Sequence, residues 1–289
     1  MRRFAHPAWW LRLVGVALLL LWSLGPIYWA VVSSFTLPTD LTVRELHLLP
    51  PHPTLMHYQN LLGAVSSFQG VVTQSVWPLF SRALLNSTVT ALASTVVTVA
   101  IAALGGYAFA RMRFPGRRAL FGLVIATMAI PAYTVMIPLY RLLVALRLVD
   151  TYVGITLIYV SAFLPLALWL MRSIYETMPR SLEEAAWLDG AGRLHTLLRV
   201  VLPIASPGLI AAAILTFLSA WGQFMVPLVF SPTLRTKPLT VLIPEFVTKN
   251  YVDYGLMNAA GVLAILPPLL LVAFLNRYLV SGLMAGAGK

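Results

Sequence analysis

Apolar residues in this chain come in long unbroken runs, separated by polar or proline-rich intervals. The runs do not alternate with polar residues, as the strands of a membrane barrel do. Six of them, about 11–32, 84–110, 119–141, 152–172, 205–230 and 258–280, are long enough to cross a bilayer as helices. In lipid, backbone N–H and C=O groups find partners only within a helix or a closed barrel, and the continuous pattern selects helices. The expectation is an all-α integral membrane protein with six transmembrane helices in a single domain, 1–289. The first run is longer than the apolar core of a cleaved signal peptide and lacks an A-x-A site, so it reads as a retained anchor.

Composition agrees with this. Hydrophobic residues make up 60% of the chain and charged ones 10%, against roughly 25% charged in a soluble domain. With no cysteine there is no disulfide, thiol nucleophile or thiolate metal site. The net charge of +11 points to membrane orientation rather than nucleic acid, because of where it lies. With the N-terminus inside, the cytoplasmic pieces hold Arg2, Arg3, Arg12, Arg111, Arg113, Arg117, Arg118, Arg172, Arg180, Arg193, Arg199, Arg277 and Lys289. The outside pieces hold Arg44, Arg82, Arg141, Arg147, Arg235, Lys237 and Lys249. Both termini are therefore expected in the cytoplasm. The two long outside segments, 33–83 and 231–257, either meet an external partner or cap helix ends.

No Asp or Glu falls inside an assigned span, which disfavours a carrier coupled to protons or sodium through membrane carboxylates. His6, His47, His52, His57 and His195 lie outside the spans without H-E-x-x-H spacing. The loop histidines among them read as surface residues more readily than as a metal site. Gly286–Lys289 ends as GAGK, but Leu283 stands where a phosphate-binding loop needs glycine, and no Ser or Thr follows the lysine. If ATP is used, another chain binds it.

The polar residues within spans are uncharged. Ser87, Ala91, Ser94 and Thr98 share one helical face, which either permits close packing or lines a solute path. Thr216, Ser219 and Gln223 share another face, near Trp221, and a buried Gln needs partners from a helix or from a hydroxylated solute. The candidate path residues are thus Ser94, Thr98, Ser219, Trp221 and Gln223. Pro131 and Pro138 should bend the third span. Asn86-Ser87-Thr88 is a sequon at a membrane boundary and carries no functional weight.

Three of the nine acids, Glu183, Glu184 and Asp189, fall in EEAAWLDGAG, residues 183–192. Ser181 followed by Glu184 fits a capping box that starts a short helix. Ala185, Ala186, Trp187 and Leu188 continue it, and Gly190 suits its C-terminal cap. Leu194, Leu197, Leu198 and Val201 have the spacing of a second helix, which Pro203 should break. Ser206-Pro207 reads as N-cap and first position of the fifth span. The cytoplasmic loop 179–207 is then two short helices around a glycine bend. Its apolar residues need a partner, the membrane interface or another protein. On spacing alone, Glu184 is as readily a plain helix cap.

Glu184-Ala185-Ala186, then Gly190 after three residues, then Val200-Val201-Leu202-Pro203 after nine, resembles the E-A-A loop of ABC importer permeases. Val200 replaces the usual Ile. Asp189-Gly190-Ala191 and Pro207 are similar to the carbohydrate branch. Tyr107–Arg111, Phe114–Arg117 and Leu148–Tyr152 resemble the maltose-transporter-type permease subunit, from about residue 80 to the C-terminus. Trp221-Gly222-Gln223-Phe224 departs from the family's frequent Trp-Asn-Glu-Phe, so solute contacts are not carried over there.

The resemblance implies a type I ABC importer permease fold in a bacterial cytoplasmic membrane. Glu184, Ala185, Ala186, Trp187, Leu188, Asp189, Gly190 and Ala191 would form the coupling helix seated on an ATPase. It implies a second permease subunit in a heterodimer, two ATPases that hold ATP and Mg, an external solute-binding protein, and a sugar or polyol as solute. This chain would bind no cofactor, no metal and no nucleic acid, and would catalyse no reaction. An importer of glycerol phosphates or another small polar solute, or an ion-coupled carrier acting alone, are the alternatives.

Overall fold

The computed structural model describes residues 7–42, 47–64, 66–68, 71–73, 75–247 and 253–287. Arg2, Arg3, His6, Arg44, Lys249 and Lys289 lie outside them. In chain order the principal helices are α1 (Pro7–Ser34), α2 (Trp77–Arg111), α3 (Arg117–Ala126), α4 (Met136–Ala145), α5 (Tyr152–Thr177), α6 (Ser181–Leu188), α7 (Arg193–Ile204), α8 (Ser206–Trp221), α9 (Met225–Phe230) and α10 (Tyr254–Ala287). α1, α2, α5 and α10 are each long and apolar enough to cross a membrane. Two bent pairs, α3 with α4 (92°) and α7 with α8 (79°), bring the number to six if each is one span. A short antiparallel hairpin, β1 (Ser66–Phe68) with β2 (Val71–Thr73), is added to the helices.

Prolines place the breaks. In the third run, Ile130 and Pro131 are both extended (φ −77°, ψ 121° and φ −60°, ψ 122°), as a proline requires of its predecessor. Pro138 stands in the first turn of α4, where its missing N–H is no loss. The fifth run is a correction: one helix was expected over 205–230, yet the chain leaves helical geometry between Trp221 and Met225. Pro227 explains this. It has no N–H for the carbonyl four residues earlier, on Gln223, and that oxygen instead accepts from Thr240 Oγ1 at 2.6 Å.

The chain divides into two compact units, Met1–Ser81 with Leu242–Leu266, and Arg82–Val241 with Pro267–Lys289. In the first, Ser34 Oγ lies 2.7 Å from Tyr58 Oη, and Asp253 caps α10 by accepting from Leu256 N at 2.7 Å. His57, expected at the surface, is buried there. Its Nε2 meets the Thr36 carbonyl at 3.0 Å, and its Nδ1 stands 3.5 Å from Asp253. Among the described residues no group of His, Cys, Asp or Glu could hold a metal ion.

The second unit packs α2, α5, α7 and α8 around one apolar cluster that includes Ala102, Tyr107, Met171, Tyr175, Val201 and Ala211. A Cβ on Gly106 would stand 2.9 Å from Met171 Cβ and 3.0 Å from Arg172 N. Only glycine lets α2 approach the α5 backbone this closely.

At the other end of the unit, Asn86 is fully buried. Its Nδ2 donates to the carbonyls of Leu234 (3.0 Å) and Lys237 (2.9 Å), and its Oδ1 accepts from Tyr152 Oη at 2.6 Å. Asp150 holds the same segment, accepting from Thr236 Oγ1 at 2.6 Å. Asn86→Ala leaves these partners without a bond, at about 1–3 kcal/mol for each group that water cannot reach. A clear drop in the unfolding temperature in detergent is expected, and an unchanged transition would contradict this account of the clamp.

Candidate functional site

Residues 179–207 begin with a departure from the capping box. Arg180 holds the N-cap position in helical geometry without a side-chain cap bond, and Ser181 is already the first residue of α6. Glu184 is exposed; Glu183 is the buried acid, 2% accessible. Its Oε1 accepts from Arg111 Nε at 2.6 Å and its Oε2 from Tyr107 Oη at 2.8 Å. Arg111 Nη2 donates further to the Met178 carbonyl at 2.7 Å. A buried ion pair is tolerable only when its remaining polar atoms are satisfied, and both carboxylate oxygens here are. Tyr107 and Arg111 lie one turn apart on α2, so one helix face presents both donors.

α6 ends at Gly190, whose φ is +84°. Gly190 N donates to Trp187 O at 3.0 Å and Ala191 N to Ala186 O at 2.9 Å, the paired bonds of a left-handed glycine cap. With Glu183 turned inward, the opposite face is bare. Glu184, Ala185, Asp189 and Gly190 are exposed, Trp187 is 43% accessible and Leu188 is 89%. Ala186 and Ala191 are half-buried.

The second loop helix differs from expectation in two places. Leu197 and Val201 enter the core, whereas Leu194 and Leu198 stay exposed, because Leu197–Val201 is a wide π turn that shifts the helical phase. Pro203 does not break α7. It sits in the last turn, and the chain turns at Ala205. Ser206 is accordingly not the N-cap: Ala205 takes that position, with no side-chain cap bond.

The candidate path residues are not gathered in one place. Ser94 is fully buried, and its hydroxyl bonds the Thr90 carbonyl of its own helix at 2.5 Å. Thr98 is equally buried, with no hydrogen-bond partner for its hydroxyl among the described residues. Ser219 lines a cavity of about 110 Å³ with Met128, Phe163 and Leu166. Trp221 is buried and stacked on Phe217, ring centres 5.5 Å apart. Gln223 lines a cavity of about 300 Å³ with Tyr133, Met136 and Phe224. That cavity lies where the broken third and fifth runs meet. Irregular backbone at membrane depth belongs beside such a space or within protein. Tyr133 went unnoticed in the sequence; its place two residues after Pro131 was the available signal.

Residues 99–284 match the family described as the binding-protein-dependent transport system inner membrane component. The sulfoquinovosyl glycerol transport system permease protein SmoH of Agrobacterium fabrum is 33% identical, over 96% of this chain and 93% of its own length. The trehalose transport system permease protein SugB of Mycobacterium tuberculosis is 32% identical, over 96% of this chain and 94% of its own. In fold, the chain is similar to the crystal structure of a bacterial ABC transporter involved in the import of the acidic polysaccharide alginate. The TM-score is 0.80 at 23% identity, over 96% of this chain and 98% of that one.

The two adjacent acids should differ sharply on substitution. Glu183→Ala strands the Arg111 charge and should cost about 3–5 kcal/mol, whereas Glu184→Ala should stay within about 0.5 kcal/mol. Thermal unfolding of the two variants in the same detergent measures this, and equal effects would refute the assignment.

Proposed function

From the premise that the chain belongs to the family of binding-protein-dependent transport system inner membrane components, we propose that it forms half of the translocation pathway of an ABC importer for a sugar or related polyol. Its similarity to permeases named for sulfoquinovosyl glycerol and for trehalose supports that solute class. The chain is a transport component and not an enzyme. In this reading a second permease subunit completes the pathway, two cytoplasmic ATPases hydrolyse ATP with Mg, and an external solute-binding protein delivers the solute. Both termini face the cytoplasm, and residues 1–289 work as one permease domain.

The observation that carries the proposal is the exposed face of α6 above a buried root. Glu184, Ala185, Ala186, Trp187, Leu188, Asp189, Gly190 and Ala191 form the surface that docks on the ATPase, with Trp187 and Leu188 as apolar anchors. The Glu183–Arg111 bond ties that surface to α2, while Leu197 and Val201 tie α7 to the core shared with α5 and α8. Closure of the ATPase pair then moves helices rather than a loose loop, biasing inward- and outward-open states.

The path runs past Ser219, Trp221 and Gln223, with Tyr133 across the cavity from Gln223. Ser94 and Thr98 join it when α2 shifts. The proline break leaves Gln223 beside the cavity, where its amide bonds solute hydroxyls.

Leu188→Asp should weaken co-purification of the ATPase about 30-fold, the cost of losing one interface anchor, while the chain still inserts. Gln223→Leu should do the reverse, lowering solute uptake several-fold with the ATPase still attached. Uptake by this chain alone in liposomes, driven by an ion gradient and indifferent to ATP, would overturn the proposal.

A further inference from the structure

The segment between α2 and α3 holds none of the residues proposed for the coupling surface or the solute path. Arg113, Arg117 and Arg118 line a cavity of about 480 Å³ together with Phe114 and Gly116. Among the described residues, none of these three arginines forms an ion pair. The neighbouring acids are already engaged, Glu183 by Arg111 and Glu176 by Arg172, whose guanidinium also lies 4.0 Å over the Phe121 ring. Arg117 spends one donor on the Met112 carbonyl at 3.0 Å. Three cations thus face one space with no counter-ion among the described residues.

The surroundings are apolar. Met112 is exposed before the arginines, and α3 continues with Ala119, Leu120, Gly122 and Leu123 exposed, the last 66% accessible. The segment joins the end of a spanning helix, α2, to the start of a second apolar helix, which sets it at headgroup depth. The Arg111–Glu183 bond puts it at the same end of the unit as α6.

We propose that this cavity binds the phosphate headgroup of an anionic phospholipid, with the acyl chains lying along the exposed face of α3. The phosphate supplies the missing counter-charge, and Leu120 and Leu123 are covered by hydrocarbon rather than water. The inference rests on the spanning helices and does not depend on which solute is carried. Basic residues at a membrane surface orient any membrane protein; here they also converge on one cavity beside an uncovered apolar helix face.

The test uses the complete transporter, purified from vesicles of phosphatidylcholine and phosphatidylglycerol in a three-to-one ratio. Retained phosphatidylglycerol is measured by native mass spectrometry. The triple variant R113Q/R117Q/R118Q should lower its retention about 100-fold, R113Q or R118Q alone about 5-fold, and the triple lysine variant far less. The single variants and the lysine variant keep the measurement decisive if the triple glutamine variant fails to insert. Undiminished retention in inserted glutamine variants would overturn the proposal. So would displacement of the lipid by millimolar inorganic phosphate, which would mark a site for a free anion. Loss of retention whenever the ATPases are bound would equally overturn it, assigning the arginines to a protein surface.

Discussion

A carboxylate held between a tyrosine hydroxyl and a guanidinium is the fixed point of the second unit. Glu183 is taken out of water, yet each of its oxygens has a donor, and Arg111 extends the set to the backbone at Met178. Such a pair adds little net stability compared with well-packed hydrocarbon; what it supplies is a single allowed seating of one helix on another. Because Glu183 points inward, the opposite face of α6 is committed to water. Leu188 stays bare because it lies five residues after Glu183, on the far side of the helix.

The second constraint is backbone accounting inside lipid. A proline in the interior of an apolar helix removes a donor, and the oxygen it orphans must be answered locally. The fifth run shows the answer in atomic detail, where Thr240 from the 231–242 segment supplies a hydroxyl to Gln223. The third run changes direction at Pro131 instead. Both breaks border the cavity that holds Gln223 and Tyr133, so the features that disrupt regular helix also create the space beside it.

The spans were legible because continuous hydrophobicity is a local signal, and so were the Pro131 bend and the Gly190 cap, which depend on one or two residues. Features that depend on distant partners were not. Ser181 and Glu184 have capping-box spacing, but Glu183 is drawn to Arg111, 72 residues away, and the helix starts one residue earlier than a Ser181 cap requires. Pro227 was visible in the sequence, yet its effect depends on a hydroxyl at Thr240 that no periodicity reveals. His57 looked like a loop histidine because nothing nearby in sequence marks Thr36 and Asp253 as its neighbours. The residue pattern marked two short helices around Gly190 within 179–207, but neither it nor the resemblance told the buried acid from the exposed one.

Asn86 has a consequence of another kind. Three chain segments are fastened through one side-chain amide, two of its bonds being carbonyls facing the same nitrogen. Hydrolysis of that amide to a carboxylate exchanges a nitrogen for an oxygen and sets lone pairs against lone pairs at a buried position. The following serine offers little steric protection against such chemical ageing. What guards the residue is its place inside α2, where the helical backbone keeps the Ser87 nitrogen from attacking the side-chain carbonyl. The durability of the clamp over the protein's lifetime is therefore a property of the helix that carries it.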